Sequence, residues 1–181
     1  PSGGLIQGPD GALYGTTQQG GLYGYGVVFK VTSTGALTKL HDFNGTQGAQ
    51  PDSGVVLGPD GALYGTTVFG GAYNAGTLFR LATDGSSFSK LVDFDRYTMG
   101  YEPNGLMVAS DGQVYGTTYA GGANNKGTLF KLAPQSGAFT LIYALDGSTG
   151  KHPTTQLIPA ADGALYGSTD AAIFRLLGVP T

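Results

Sequence analysis

The chain of 181 residues contains no cysteine, no tryptophan, two histidines and two methionines, and only 12% of its residues carry charge. Each scarcity excludes something. Without cysteine there is neither a disulfide framework nor a thiolate metal site. Two histidines supply few ligands for a zinc or iron centre. The nine Lys and Arg residues are scattered and the net charge is −3, so no basic stripe exists to neutralise nucleic-acid phosphates. No apolar run approaches the ~18–20 residues that span a bilayer, so membrane insertion is not expected. No leader segment is legible, and Pro1 reads as a trimmed start.

Glycine is abundant instead: 33 residues, alongside eleven tyrosines and nine phenylalanines. Its placement is periodic. The segment Asp10-Gly11-Ala12-Leu13-Tyr14-Gly15-Thr16-Thr17 returns from Asp60, Asp111 and Asp162, at intervals of 50, 51 and 51 residues. A second block, Gly76-Thr77-Leu78-Phe79-Arg80-Leu81, matches residues from Gly26 and Gly127, and a third, Leu91-Val92-Asp93-Phe94, matches residues from Leu40 and Ile142. Prolines 1, 51, 103 and 153 open the repeats, which run over residues 1–50, 51–102, 103–152 and an incomplete 153–181. Self-similarity at such a period signals a repeat architecture.

Each unit holds four strand-length runs, A to D, rich in β-branched and aromatic residues and bounded by Gly, Asp, Pro or Ser. No window carries helical periodicity. A meets B, and C meets D, through short Asp-Gly turns, because glycine supplies positive φ without steric cost. B to C and D to the next A are long. In an up-and-down sheet all long connectors share one face. The expected fold is therefore all-β, a β-propeller of four-stranded antiparallel blades. About four blades are present, and the last lacks its outer strand. After Ser168-Thr169 the fourth unit passes through Asp170-Ala171 straight into strand C, leaving an open edge.

The pattern Pro-x-x-Gly-Leu, Asp-Gly-x-Leu-Tyr-Gly-Thr-Thr, Gly-Gly, Gly-Thr-Leu-Phe-Lys-Leu resembles the GloVer-type tandem repeats of bacterial surface and secreted proteins. More distantly it is similar to quinoprotein and NHL-type propeller repeats. The resemblance covers the whole chain and implies a propeller and export to a bacterial cell surface or beyond. It implies no particular chemistry, and the missing tryptophan speaks against a quinone, so no cofactor is expected.

Asp10, Asp60, Asp111 and Asp162 read as turn caps before metal ligands. Tyr14, Tyr64, Tyr115 and Tyr166, with Phe29, Phe79, Phe130 and Phe174, read as packing between blades. Asn44, Asp95 and Asp146 follow strand D as Asx turns, with a weak calcium or sugar contact as the alternative. The weak catalytic candidates are Glu102, Asp95 and His152. Glu102 and His152 occupy matching places before repeat prolines, with Gln50 as their counterpart, and Asp95 with Glu102 is the one tempting carboxylate pair. The expected ligand-binding residues are Tyr23, Tyr25, Tyr73, Asn74, Tyr97, Tyr101, Asn124 and Asn125, since aromatic rings beside amides suit stacking plus hydrogen bonding. These features point to a non-catalytic extracellular binding or scaffold module taking a glycan or a protein on the long-loop face. The alternatives are a polysaccharide hydrolase or lyase, or a purely structural surface repeat. Self-association that completes the propeller through the open first and last blades is also expected.

Overall fold

The computed structural model describes residues 3–148 and 150–176; the expected start at Pro1 and end at Thr181 lie outside the described residues. All regular structure in them is β. The first blade is β1 (Ile6–Gln7), β2 (Leu13–Thr17), β3 (Val27–Val31) and β4 (Leu37–Asp42). The second is β5 (Val55–Leu57), β6 (Leu63–Thr67), β7 (Thr77–Leu81) and β8 (Phe88–Asp93). In the third, β9 (Tyr101–Pro103) pairs onto β11 (Val114–Ala120), which lies between β10 (Met107–Val108) and β12 (Thr128–Ala133), and β13 (Ala138–Ala144) is outermost. The fourth has β14 (Ile158–Pro159), β15 (Leu165–Ser168) and β16 (Ile173–Leu176). Each sheet is antiparallel in chain order, as hairpin-linked strands must be. The propeller, with its fourth blade short of an outer strand among the described residues, is what the repeat predicts.

The turns follow from the Asp-Gly pairs. Gly61 has φ of +74°, with Gly11, Gly112 and Gly163 within a few degrees at +76°, +72° and +74°. Asp60 Oδ1 accepts the amide of Ala62 at 3.3 Å, and Gly61 donates to the carbonyl of Gly58 at 3.0 Å. The carboxylate therefore caps its own turn.

Strands in the middle of a blade are buried on both faces, so their residues do not alternate between core and solvent. In β6 all five residues are buried. Leu63, Phe79 and Leu81 face the first blade, where Ala12, Tyr14, Val28 and Phe43 meet them. From the opposite face Tyr64, Leu78 and Phe94 meet Leu106, Val114, Phe130 and Leu132 of the third blade. The third and fourth blades join through Met107, Tyr115, Leu129 and Leu145 against Leu157, Leu165 and Phe174. Burying each such side chain contributes about 1.5–3 kcal/mol, and this makes neighbouring blades mutually dependent. Gly65 is needed because Phe79 lies across it: a Cβ there would collide with the ring.

A bulge recurs at one place in three blades, between Val28 and Phe29, Leu78 and Phe79, and Leu129 and Phe130. The extra residue on the outer strand is Leu40, Leu91 or Ile142. Each packs against the junction with the following blade, which the bulge makes possible by re-aiming one side chain.

Candidate functional site

The segments that follow the repeat prolines lead into the inner strands, and they converge at the long-loop end of the fold. There a cavity of about 340 Å³ is lined by Asp52, Ser53, Val68, Glu102, Pro103, Asn104, Gly105, Tyr119, Thr154 and Gln156. Three blades contribute equivalent positions. Besides Val68, Pro103 and Gly105 the lining is carboxylates, hydroxyls, amides and one aromatic ring, a set able to donate and accept hydrogen bonds in several directions.

Hydrogen bonds hold this wall in place. Gln18 donates from Nε2 to Asp52 at 2.5 Å, and Ser53 meets Thr66 Oγ1 at 3.2 Å. Asn104 donates from Nδ2 to the carbonyl of Pro153 at 2.6 Å, tying the third blade to the fourth, while Gln156 Nε2 donates to the carbonyl of Leu106. Tyr119 stacks on His152 with ring centroids 4.7 Å apart and planes inclined by 13°. His152 Nδ1 lies 3.6 Å from Asp170.

The residues before the repeat prolines have an unusual backbone. Gln50, Glu102 and His152 adopt φ of +56°, +54° and +52°. A left-handed conformation at a non-glycine residue costs on the order of 1–3 kcal/mol, and it is held only where the surroundings over-determine it. Here each amide donates to a carbonyl of the preceding blade's long loop: Gln50 to Tyr25 at 2.9 Å, Glu102 to Ala75 at 3.2 Å, His152 to Lys126 at 2.9 Å. The matched trio read from the sequence is thus a recurring blade-to-blade clasp. Glu102 forms part of the wall, and His152 backs Tyr119.

Asp95 lies elsewhere. With Tyr73, Arg96, Tyr97 and Thr98 it lines a separate groove of about 440 Å³ towards the rim. Its carboxylate accepts the amides of Tyr97 at 2.9 Å and Thr98 at 2.6 Å, as the expected Asx turn does. Burial favours the neutral acid, but the bonds from Thr98 and Tyr97 outweigh it and hold this carboxyl below the usual range. Asp95 and Glu102 do not converge on one cavity. Asn44 and Asp146 are Asx turns too, accepting the amides of Gln47 at 2.9 Å and Ser148 at 2.8 Å. Among the described residues no three His, Asp or Glu side chains come together as a metal site requires.

The expected ligand residues are spread around the rim of the same face. Tyr73 and Tyr97 share the groove with Asp95. Tyr23 and Tyr25 are exposed on the first blade's loop. Tyr101 is half-buried under the Arg96 guanidinium, 4.4 Å from its ring centroid. Asn74 and Asn125 take left-handed φ of +49° and +55°; Asn74 Oδ1 accepts the amide of Gly70 at 2.9 Å, and Asn124 Nδ2 donates to the carbonyl of Leu145 at 3.1 Å. Sequence reasoning missed the centre: Asp52, Ser53, Asn104, Tyr119, Thr154 and Gln156. The available signal was their regular offset from prolines 51, 103 and 153 and from the Thr-Thr that ends strand B.

Solved structures of similar shape are propeller proteins. A gluconolactonase from Xanthomonas campestris superposes with a TM-score of 0.63 at 16% identity, covering 98% of this chain and 62% of its own. A chain of the nidogen/laminin complex gives 0.65 at 13%, covering 99% of this chain and 66% of its own. The extracellular domain of a hybrid two-component system from B. thetaiotaomicron gives 0.66 at 15%, with 98% of this chain and 21% of that one covered. At these identities the likeness shows the fold alone, and the chain spans less than two thirds of each neighbour. No helix among the described residues is long and apolar enough to cross a membrane. No curated protein matches the sequence. The family model that does match, over residues 1–175, is the Gloeobacter/Verrucomicrobia repeat, and the chain belongs to that family.

Proposed function

We propose that this propeller is a non-catalytic module of an exported bacterial protein that binds a glycan at the centre of its long-loop face. The observation that carries the reading is the cavity to which three blades bring Asp52, Ser53, Glu102, Asn104 and Thr154, with Glu102 held there in a left-handed backbone conformation. Backbone strain of this kind is kept where geometry matters. The cavity offers Asp52, Glu102, Ser53 and Thr154 to hydroxyl groups and the ring of Tyr119 to an apolar sugar face. The rim residues Tyr23, Tyr25, Tyr73 and Tyr97 extend the surface for a longer chain, as oligosaccharides need. Likeness to an extracellular domain supports export. The enzyme reading loses support from Asp95, whose carboxylate is committed to its own turn and lines a different groove from Glu102.

A glycan array identifies a ligand, and calorimetry with variants then locates it. Tyr119→Ala and Glu102→Ala should weaken binding about tenfold or more while the melting temperature is kept. Tyr73→Ala and Tyr97→Ala should cost less, and only with longer glycans. A ligand lost with the rim variants and kept with the central ones would move the site outward. Turnover of any bound glycan would return the enzyme reading.

A further inference from the structure

The loop that follows β8 departs from its counterparts in the repeat. Eight residues separate Phe94 from Pro103, against seven between Phe43 and Pro51 and seven between Leu145 and Pro153. Where the other loops have Gly45 and Gly147 after the Asx residue, this one has Arg96, and Tyr97 follows where the others have Thr46 and Ser148. The correspondence is structural as well. The Gly71 amide donates to the Gly45 carbonyl at 2.9 Å, and the Gly122 amide donates to the Arg96 carbonyl at 3.1 Å. Tyr101, just before the left-handed Glu102, stands where the other repeats have Ala49 and Lys151. The neighbouring blades are built without these three side chains, and a loop on a rigid scaffold is where such additions carry function.

The departures meet at the rim groove of about 440 Å³, lined by Tyr73, Asp95, Arg96, Tyr97 and Thr98. The other two arginines pair with turn carboxylates, Arg80 with Asp60 at 2.8 Å and Arg175 with Asp162 at 2.7 Å. Arg96 is exposed and makes no ion pair among the described residues. Its guanidinium lies over the Tyr101 ring, 4.4 Å from the centroid, which restrains the fork of N–H donors. Asp95 shares the groove but is taken up by its own turn, accepting the Thr98 hydroxyl and the amides of Tyr97 and Thr98. The groove thus offers a braced cation without a partner, beside the exposed rings of Tyr73 and Tyr97.

We infer that this groove is a subsite for a carboxylate-bearing sugar unit, a uronate, of the glycan whose uncharged part occupies the centre of the face. The inference rests on the glycan reading above and names the class of glycan. A planar guanidinium pairs with a carboxylate through two parallel hydrogen bonds, stronger than bonds between neutral groups. The rings of Tyr73 and Tyr97 suit the apolar face of the same sugar. Asp52 and Glu102 place negative charge in the central cavity, which disfavours a uronate there, so the acidic unit belongs at Arg96 and an uncharged one at the centre.

The test is an array of oligosaccharides that combine uronate and uncharged units, each printed beside the same oligosaccharide with its carboxyls reduced to alcohols. Calorimetry then measures the pairs that bind. The acidic member should bind about tenfold more tightly than its reduced partner. Arg96→Gln changes an exposed side chain, so the fold should persist by circular dichroism while the ratio within a pair falls to about one. Tyr119→Ala, at the centre, should weaken both members of a pair alike. Equal binding of acidic and reduced members, or a preference that survives Arg96→Gln, would overturn the inference and leave the central glycan site standing. Binding of no oligosaccharide would overturn both. A glutamate-rich peptide that binds as tightly as the acidic oligosaccharides, and loses this with Arg96→Gln, would assign the groove to peptides instead.

Discussion

The hydroxyl of Tyr64 donates to Oδ2 of Asp60 at 3.0 Å, joining a buried inter-blade ring to the carboxylate that caps the preceding turn. Arg80 meets the same oxygen at 2.8 Å from the next strand. The relationship recurs in every blade, as Tyr14 with Asp10, Tyr115 with Asp111 and Tyr166 with Asp162. Although burial favours the neutral acid, the bonds from Arg80, Tyr64 and the Ala62 amide keep Asp60 ionised below the usual range. Tyr64→Phe should destabilise by about 1 kcal/mol, and Asp60→Ala by about 1–3 kcal/mol because it also removes the turn cap. Urea melts of both variants measure this.

Burial first, and then the bond to Asp60, push the Tyr64 phenol up to about 12; Tyr115 rises to about 12 in the same way, with Asp111 as partner. A raised folded value means that the folded state holds the proton more tightly. The stabilisation is complete below the unfolded value of about 10 and is lost as pH climbs towards 12. Stability should therefore fall across that alkaline window, and Tyr64→Phe with Tyr115→Phe should flatten the fall. An unchanged slope in the double variant would break the link.

His41 behaves in the opposite sense. Its Nε2 is buried without a hydrogen-bond partner, and the ring stacks on Phe88. Burial pushes its value below the ordinary imidazole range, outweighing the pull of Asp42. The unfolded chain then binds the proton more readily, so this contribution is present above about pH 6.5 and fades as pH falls towards the lowered folded value. Melts between about pH 8 and pH 5 should show the loss, and His41→Phe should remove it. His152→Gln serves as the control for the second histidine.

Two glycines in one hairpin should fail for different reasons. Gly61→Val puts a β-branched side chain at φ of +74° in open space, so it costs roughly 1–3 kcal/mol through the backbone alone. Gly65→Ala drives a Cβ into the ring of Phe79 and should cost more, despite an ordinary backbone. Thermal melts that rank Gly61→Val as the worse variant would contradict the packing argument.

Head-to-tail pairing of copies is expected from the two outermost blade faces. Leu13 is 38% exposed where its counterpart Leu63 is 0%, and Ile173 is 76% exposed where Leu78 is 0%. Their counterparts are the halves of the contact that joins each internal pair of blades, and pairing them between two copies would make a heterologous interface. Light scattering at tens of micromolar should give twice the chain mass, with Ile173→Asp returning it to a monomer. A compact monomer of the unaltered chain would remove this expectation.

Local patterns reveal almost everything that depends on neighbours in the chain. The Asp-Gly spacing specifies the turns and their positive φ, the short apolar runs specify strands, and the period specifies blades. Asp10, Asp60, Asp111 and Asp162 could be read as caps because a carboxylate reaches an amide two residues on. The centre of the long-loop face was not legible. It is assembled from residues some fifty positions apart, such as Asp52, Asn104 and Thr154.

What the sequence determined by itself is the all-β repeat, its hairpins and the family to which it belongs, because these follow from backbone preferences acting over a few residues. Only the tertiary structure decided that Asp95 and Glu102 line different cavities and that Tyr119 stacks on His152. Those facts depend on the distance between blades. That distance is set by how large side chains from separate repeats interlock.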